Sequence, residues 1–333
     1  MSEERITGKY RDKYVPIVLD SLRLDSLLDF DLYLPRGDEM ILYRSSQLPF
    51  CEKTRRTLLE NSVRRLYVSV NEWSEYQRYV EGNLTQIIAS SDLDDNIKAG
   101  IIYEAAERTI KDVFDNPQLG ENIRRSQNVV ANTVSFVIRD QTAFKSMIEV
   151  MSFDYKTYTH SLNVCTFSIA LAQHIGITNE AELCRLGIGA LLHDVGKTRI
   201  DDRILNKRGA LSEDEMEIIR QHPRLGVELM QETKILEEES YLPILEHHER
   251  EDGSGYPRGI TSEQIHPHSK IVAVADVFDA MTTRRCYREA VNTFPALMVM
   301  FSEKNTFDFK LLEHFTRLLG PVESVLPAVE RTP

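Results

Sequence analysis

The chain has 333 residues and a formal net charge of −12. Its apolar fraction of 42% and charged fraction of 28% are ordinary for a globular protein, and its length suffices for two domains. The acidic balance disfavours binding to DNA, RNA or anionic lipid, so a phosphate ester would need a local cationic site.

The cysteines and the N-terminus indicate the compartment. Cys51, Cys165, Cys184 and Cys286 show no Cys-x-x-Cys spacing, which favours reduced thiols over disulfides or a structural zinc site. Residues 1–5 are polar and lack the apolar region of a signal peptide. No apolar run approaches the roughly 20 residues of a membrane span. We therefore expect a soluble, cytoplasmic protein of bacterial type.

Residues 1–90 are predicted to form a small α+β domain. Phe30, Leu32 and Leu34 alternate with polar residues, as in a half-buried strand, and residues 40–43 form a returning strand. A helix over 52–60, a strand over 65–70 and a helix that contains Trp73, Tyr76, Tyr79 and Val80 follow. The predicted order is strand, strand, helix, strand, helix.

Residues 91–150 are predicted to be helical, with Asp92 or Asp94 as the N-cap. Two interpretations are open. These helices link two domains and offer a dimerisation surface, or they pack on the C-terminal domain.

Residues 151–333 are predicted to form an all-α domain. The apolar spacing predicts helices over 159–175, 180–192, 212–221, 223–233, 242–248, 270–283 and 293–302. Loops are predicted over 197–211 and over the glycine-rich residues 252–259.

The pair His193-Asp194 lies in the apolar run 190–195. Two adjacent polar groups in a helical core are costly unless something pairs with them. A cation is a common partner, and imidazole with carboxylate suits Mn, Fe or Zn.

Further polar residues favour a metal site. A single histidine is more often a core or surface residue than a ligand, but several here fall at the ends of predicted helices. Helix ends that converge on one cavity can assemble a multinuclear site from a bundle. Seven potential ligands result: His160, His193, Asp194, His222, His247, His248 and Asp276.

Three blocks resemble a known family. Residues 193–197 (HDVGK) match the HD phosphohydrolase signature, and residues 247–259 (HHEREDGSGYPRG) match the longer motif of the HD-GYP family. Residues 274–282 match the third block of that family. The resemblance covers about 153–289. It implies a core of five to seven helices and cyclic di-GMP phosphodiesterase activity.

The resemblance also implies residue roles. His160, His193, Asp194 and Asp276 would form the basic quartet. His222, His247 and His248 would complete a second metal position, with Asp194 bridging two divalent ions, Fe or Mn. A hydroxide held between two ions about 3.5–4 Å apart would attack phosphorus in line with the leaving ribose 3′ oxygen. The product would be linear pGpG or, beyond it, GMP.

Lys156 departs from the pattern of some relatives. Members that bind three metals have a glutamate four residues before the first histidine, where this chain has Lys156. An ammonium group cannot be a ligand. We therefore predict two metals, with a shift in helix register that presents Asp154 or Tyr155 as the alternative.

Lys197 and Tyr256 are predicted to touch the substrate. Lys197 belongs to the HD signature and would contact a phosphate and act in catalysis with Asp194; the alternative is a solvated lysine at a helix end. Tyr256 lies between Gly255 and Pro257 and would reach a phosphate or a guanine; the alternative is that it only packs the loop down.

Arg285 and Arg288 match family positions that contact guanine or phosphate, which suits the guanidinium fork. Cys286 stands where the usual R-P-Y-R motif has proline, which loosens the turn between them. Asp279 is either a residue that orients a ligand histidine or a plain surface aspartate.

The leading hypothesis is a cyclic di-GMP phosphodiesterase. The rivals are a phosphohydrolase for another cyclic dinucleotide, and a receptor or protein-interaction module with little turnover. By analogy with the family, residues 1–90 would be regulatory or sensory. The expected partners are cyclic di-GMP, signalling proteins and a second copy that joins through the N-terminal or linker helices.

Overall fold

A computed structural model describes residues 13–320, apart from residues 25, 38, 152–155, 208, 284–289 and 304. The chain divides into two compact units, Met1–Ile101 and Ile102–Pro333. The predicted boundaries at residues 90 and 150 remain a prediction.

The N-terminal unit contains a four-stranded antiparallel sheet in the order β1-β4-β2-β3. Its elements are β1 (Tyr14–Val18), β2 (Leu32–Arg36), β3 (Glu39–Arg44), α1 (Glu52–Glu60), β4 (Arg65–Ser69) and α2 (Trp73–Ala89). The sequence had not indicated β1, an edge strand that contains Pro16 and buries only Ile17. Proline is tolerated at a sheet edge because its missing N–H breaks no internal ladder bond.

The rest of the described chain is helical. The helices are α3 (Asp95–Asp115), α4 (Gly120–Val137), α5 (Gln141–Val150), α6 (Thr157–His174), α7 (Glu180–Leu192), α8 (Asp202–Leu205), α9 (Glu213–Ile219), α10 (His222–Thr233), α11 (Glu238–Glu246), α12 (Pro267–Thr282), α13 (Thr293–Ser302) and α14 (Phe309–Leu319). The predicted fold class, a helical domain with a small α+β domain before it, is confirmed.

Several boundaries match the sequence patterns closely. Helix α7 begins at Glu180 because the Asn179 side chain accepts from the backbone N–H of Glu182. Helix α3 follows Asp94, whose carboxylate accepts from the N–H of Asn96, so the second N-cap candidate is the observed one. Helix α11 starts four residues before the predicted 242. Helices α8 and α14 had not been anticipated.

Helix α6 forms the centre of the second unit. All its residues from Thr159 to Ala172 are buried, as expected of a helix enclosed by others. Its Phe167 ring packs edge-on against Phe144 of α5, Phe278 of α12 and Phe315 of α14. Polar side chains on α6 therefore face neighbouring helices rather than water.

Helix α4 packs against α6 and α7. Close contact with α7 depends on Gly187, where a Cβ atom would lie 2.7 Å from the Val130 side chain. Residues 120–137 of the predicted linker therefore pack on the C-terminal helices, while a dimerisation surface in 91–150 stays a prediction. None of the described helices combines the length and the apolar character that a bilayer span requires.

Candidate active site

The pair His193-Asp194 follows the last residue of α7, and both side chains are buried, 0% and 1% exposed. The Nδ1 atom of His193 lies 2.7 Å from the carbonyl oxygen of Ala190. A carbonyl can only accept, so Nδ1 carries the proton and Nε2 presents a lone pair. That buried Nε2 atom has no hydrogen-bond partner among the described residues. A bound cation would satisfy it.

His222 and His247 present lone pairs to each other. His222 opens α10, and His247 follows the end of α11. Their Nδ1 atoms donate to the carbonyls of Ile219, at 2.8 Å, and Pro243, at 3.0 Å. Their Nε2 atoms are 3.2 Å apart. Two facing acceptors repel each other unless something positive lies between them.

A proton is a poor occupant of that gap. Burial and the neighbouring His248, His193 and His222 rings lower the pKa of His247 well below its usual value. Nitrogen and carboxylate oxygen are the donors that divalent transition metals prefer, so the residues present fit a metal ion.

Asp194 belongs to two groups of possible ligands. One group contains Asp194 with three histidines, and the other contains it with two; in each, the ligand atoms lie within 4.8 Å of one another. The first group is Asp194, His222, His247 and His248, and the second is His160, His193 and Asp194. Oδ1 lies 3.3 Å from Nε2 of His222, and Oδ2 lies 3.5 Å from Nε2 of His193. The two oxygens thus serve different groups.

Asp276 lies between the same two groups. On α12, it places Oδ1 3.0 Å from Nε2 of His160 and Oδ2 4.0 Å from Nδ1 of His248. Burial alone would raise its pKa, but His160, His193 and His248 hold the pKa of Asp276 well below its usual value. All seven potential ligands therefore come together; we call these residues the His/Asp cluster.

Asp279 lies one helical turn beyond Asp276 and is 0% exposed. Its Oδ2 atom is 2.7 Å from Nδ1 of His160, and it accepts the proton there. Nε2 of His160 is thereby directed at Oδ1 of Asp276, 3.0 Å away, so that it faces the other potential ligands. This geometry matches an orienting residue and not the alternative of a surface aspartate.

Lys197 reaches back into the cluster from a 3-10 turn over Val195–Arg199, and it is not a solvated lysine. Its Nζ atom lies 2.6 Å from Oδ2 of Asp194, and its side chain is 23% exposed. Burial alone would raise the pKa of Asp194, but Lys197 and the adjacent His193 hold that pKa well below its usual value. Asp194 is therefore a carboxylate.

Gly196 lets this turn touch helix α10. A Cβ atom on Gly196 would lie 1.9 Å from the carbonyl oxygen of His222 and 2.5 Å from the backbone nitrogen of Gly226. No side chain fits there. The backbone after Asp194 is consequently held directly against the backbone that carries His222.

Residues 252–259, here called the GYP loop, hold Tyr256 over the cluster. The Tyr256 ring stacks on the His248 ring, with centroids 4.6 Å apart and planes 28° from parallel. Burial raises the pKa of Tyr256, so its hydroxyl stays protonated. The guanidinium of Arg220 lies 5.8 Å from the centroid of the same ring. The loop backbone at Gly255 lies close to the backbone of His248. Only glycine fits at position 255, because a Cβ atom there would lie 2.4 Å from the carbonyl oxygen of His248.

Two buried glutamates, which were not among the predicted site residues, hold this loop. The Glu249 carboxylate accepts from the backbone N–H groups of Arg258, at 2.7 Å, and Ile260, at 3.1 Å. Glu246 pairs with the Arg258 guanidinium and accepts from the N–H of His266 at 2.9 Å. Glu249 lies inside the motif of residues 247–259, whereas Glu246, the last residue of α11, has no sequence signal of its own.

Arg285, Arg288 and Cys286 lie outside the described residues, as do Asp154 and Tyr155. Lys156 is described and precedes α6, with its Nζ atom 5.4 Å from the centroid of the Tyr158 ring.

Comparisons with known proteins show which proteins this chain resembles. A family model described as HD domain matches residues 143–311. A cyclic di-GMP phosphodiesterase of Pseudomonas aeruginosa is 31% identical over 231 residues, which cover 68% of this chain and 56% of that protein. A cyclic di-GMP phosphodiesterase of Thermotoga maritima is 42% identical over 137 residues, 40% of this chain and 37% of that protein.

Two more similarities bear on structure and specificity. Bd1817, a HDG"Y"P protein from Bdellovibrio bacteriovorus, aligns with a TM-score of 0.66 and 26% identity over 92% of this chain and 100% of that one. A 3′3′-cGAMP-specific phosphodiesterase of Vibrio cholerae is 35% identical over 150 residues, 44% of this chain and 34% of that protein. The matches thus span about a third to just over half of the curated relatives.

Proposed function

This chain belongs to the HD domain family, and on that premise we propose that it is a metal-dependent phosphodiesterase that hydrolyses cyclic di-GMP. The observation that carries the proposal is the His/Asp cluster, in which Asp194 offers one oxygen to each of two ligand groups. The names of the Pseudomonas and Thermotoga relatives support the substrate. The proposed product is linear pGpG, with GMP as the product of a second hydrolysis.

Two divalent ions, Fe or Mn, are the proposed cofactors. His160, His193, Asp194 and Asp276 would hold one ion, and His222, His247, His248 and Asp194 the other. When bound, such ions lower the pKa of a coordinated water and offset charge on phosphoryl oxygens. Lys156 supports a count of two, because an ammonium group stands where a third site would need a carboxylate.

The chain's own residues would position the substrate and balance its charge. Lys197, beside Asp194 at the edge of the cluster, would face a phosphoryl oxygen and stabilise its developing negative charge. Tyr256 would present a protonated hydroxyl to a phosphate, or its ring face to a guanine. Arg285 and Arg288 remain proposed substrate contacts on the family pattern alone.

The decisive experiment is a turnover assay on the purified full chain loaded with Mn or Fe. The proposal expects cyclic di-GMP hydrolysis that is lost in His193→Ala and Asp194→Ala. His174→Ala is the matched control, because His174 is an exposed histidine at the end of α6, outside the cluster. Loaded protein that binds the dinucleotide without cleaving it would favour a receptor instead.

A second candidate substrate is a cyclic dinucleotide with one adenine. The similarity to the Vibrio cholerae enzyme favours it. Parallel assays with cyclic di-GMP and 3′3′-cGAMP, compared by kcat/KM, decide between the two.

The remaining parts of the proposal concern the whole protein. Residues 1–90 would be a regulatory module, on the analogy of domain arrangement in this family. The free thiols of Cys51, Cys165 and Cys184 support a cytoplasmic location. A homodimer through the N-terminal or linker helices would be detected by light scattering of the full chain.

A further inference from the structure

A row of buried polar side chains extends from the His/Asp cluster to helix α3. Behind His160, the Oδ1 atom of Asp279 lies 2.9 Å from Nδ2 of Asn163 on α6. The Oδ1 atom of Asn163 lies 3.0 Å from the hydroxyl of Tyr103 on α3. Both of the outer residues are buried, with Asn163 0% and Tyr103 6% exposed. No local sequence pattern indicates a role for either residue.

Each bond in this row has a fixed direction. A carboxylate only accepts, so Asp279 must receive protons from both Asn163 and His160. With its NH₂ group turned to Asp279, the Asn163 amide must turn its oxygen to Tyr103, whose hydroxyl then donates. The reversed amide would bring two acceptors together at Asp279. The hydroxyl of Tyr103 therefore favours the amide orientation that leaves Asp279 free to hold Nδ1–H of His160.

The row includes a residue from outside the recognised domain. The family match begins at residue 143, whereas Tyr103 lies in α3 (Asp95–Asp115). Because these side chains are buried, each hydrogen bond in the row matters for stability. A buried polar group that loses its partner bears its full desolvation cost. Helix α3 thus contributes to the surroundings of a metal ligand as well as to packing.

We propose that Tyr103 and Asn163 are positioning residues for the metal position that His160 serves. Tyr103 holds the Asn163 amide, the amide holds Asp279, and Asp279 fixes the tautomer and ring angle of His160. Residues that orient ligand histidines commonly change metal affinity when they are substituted. The inference rests on the metal site of the proposed function but not on the identity of the substrate.

The test is metal affinity of the full-length protein, measured by competition with a fluorescent chelator for Mn²⁺ and without any nucleotide. Tyr103→Phe removes only the hydroxyl and should weaken one of two binding events about fivefold, as expected for one net hydrogen bond. Tyr76→Phe is the matched control, since its buried hydroxyl lies 2.9 Å from Ser21 Oγ in the N-terminal unit. It should leave Mn²⁺ affinity unchanged.

A double-mutant cycle shows whether the row acts as a unit. Asn163→Leu should weaken the same binding event by about 10- to 100-fold. Adding Tyr103→Phe to Asn163→Leu should weaken it no further, because Tyr103 acts through Asn163. Unchanged affinity in Tyr103→Phe, or additive losses in the double variant, would overturn the inference. Neither result depends on nucleotide hydrolysis, so the inference and the proposed activity can fail separately.

Discussion

The Nε2 atoms of His222 and His247 lie 3.2 Å apart, while the Nδ1 atom of each ring donates to a backbone carbonyl. Helix geometry enforces this arrangement, since both carbonyls belong to the turn that precedes each histidine. The protein alone therefore holds two lone pairs against each other. This repulsion is a local cost that a cation would remove.

Metal loading should accordingly stabilise the protein. A ligand that binds only the folded state stabilises that state by about 4 kcal/mol when the free ligand concentration is a thousand times Kd. We expect Mn²⁺ to raise the melting temperature of the chelator-treated protein by several degrees. Asp194→Ala, which removes the residue common to both groups, should abolish most of that rise. An equal rise in this variant would place the stabilising ion elsewhere.

Substitution of Lys197 should lower the catalytic rate without lowering the metal content. Lys197→Gln removes a positive charge 2.6 Å from Asp194, so retained metal should be equal to or greater than in the wild type. Loss of a cation that stabilises transition-state charge should lower kcat by about 10²- to 10³-fold. Elemental analysis and turnover on one preparation measure both. Parallel loss of metal and activity would instead assign Lys197 to holding Asp194.

Acid should destabilise the metal-free protein through His247 and His248. Burial is the main cause that lowers the pKa of both His247 and His248 well below the ordinary value. Their stabilising contribution is therefore present above the unfolded pKa of about 6.5 and is lost as pH falls below it. Two such groups give a slope of at most about 2.7 kcal/mol per pH unit.

Asp194 and Asp276 do not change the stability between pH 7.5 and 5.5. Their lowered pKa values make their contribution present above the unfolded value of about 3.9 and lost only at lower pH. Urea unfolding followed by circular dichroism at pH 7.5 and 5.5 measures the slope. His247→Gln should reduce it more than His174→Gln, because the pKa of the exposed His174 is lowered less than that of His247. A slope that His247→Gln leaves unchanged would contradict this account.

Glu249 should matter to substrate binding more than to metal binding. Glu249→Gln replaces one of two acceptor oxygens with an NH₂ group that faces a backbone N–H of Arg258 or Ile260. A buried unsatisfied pair of this kind costs about 1–3 kcal/mol, which should loosen the loop that carries Tyr256. We expect a raised KM with metal content unchanged. The exposed Glu263→Gln is the control, and metal loss in Glu249→Gln would argue against a loop-specific role.

The sequence predicted those parts of the site that a local pattern determines. His193, Asp194 and the GYP loop form contiguous motifs, and the helix ends beside them follow from caps and apolar spacing. Tyr103, Asn163 and Glu246 could not be found in this way. Each acts through a partner 12 to 116 residues away in the chain, and its own neighbourhood resembles an ordinary amphipathic or buried helix.

The fold, too, contains an element that local sequence patterns do not predict. Strand β1 has proline at its centre and one buried residue, so its pairing with β4 depends on a sheet edge that the local sequence does not encode. The α+β class of the first unit and the helical class of the second were nevertheless evident, because both follow from periodicity over many residues.

The contact at Gly196 bears on how such a site could diverge. Since backbone meets backbone there, the spacing between Asp194 and His222 is set by main-chain packing and not by side-chain rotamers. Ligand types can change singly, for example histidine to glutamine, without altering the distance between the two positions. Even alanine at 196 would push them apart. Ligand chemistry is therefore open to gradual evolutionary change, whereas the separation of the two positions can change only together with the helix that carries one of them.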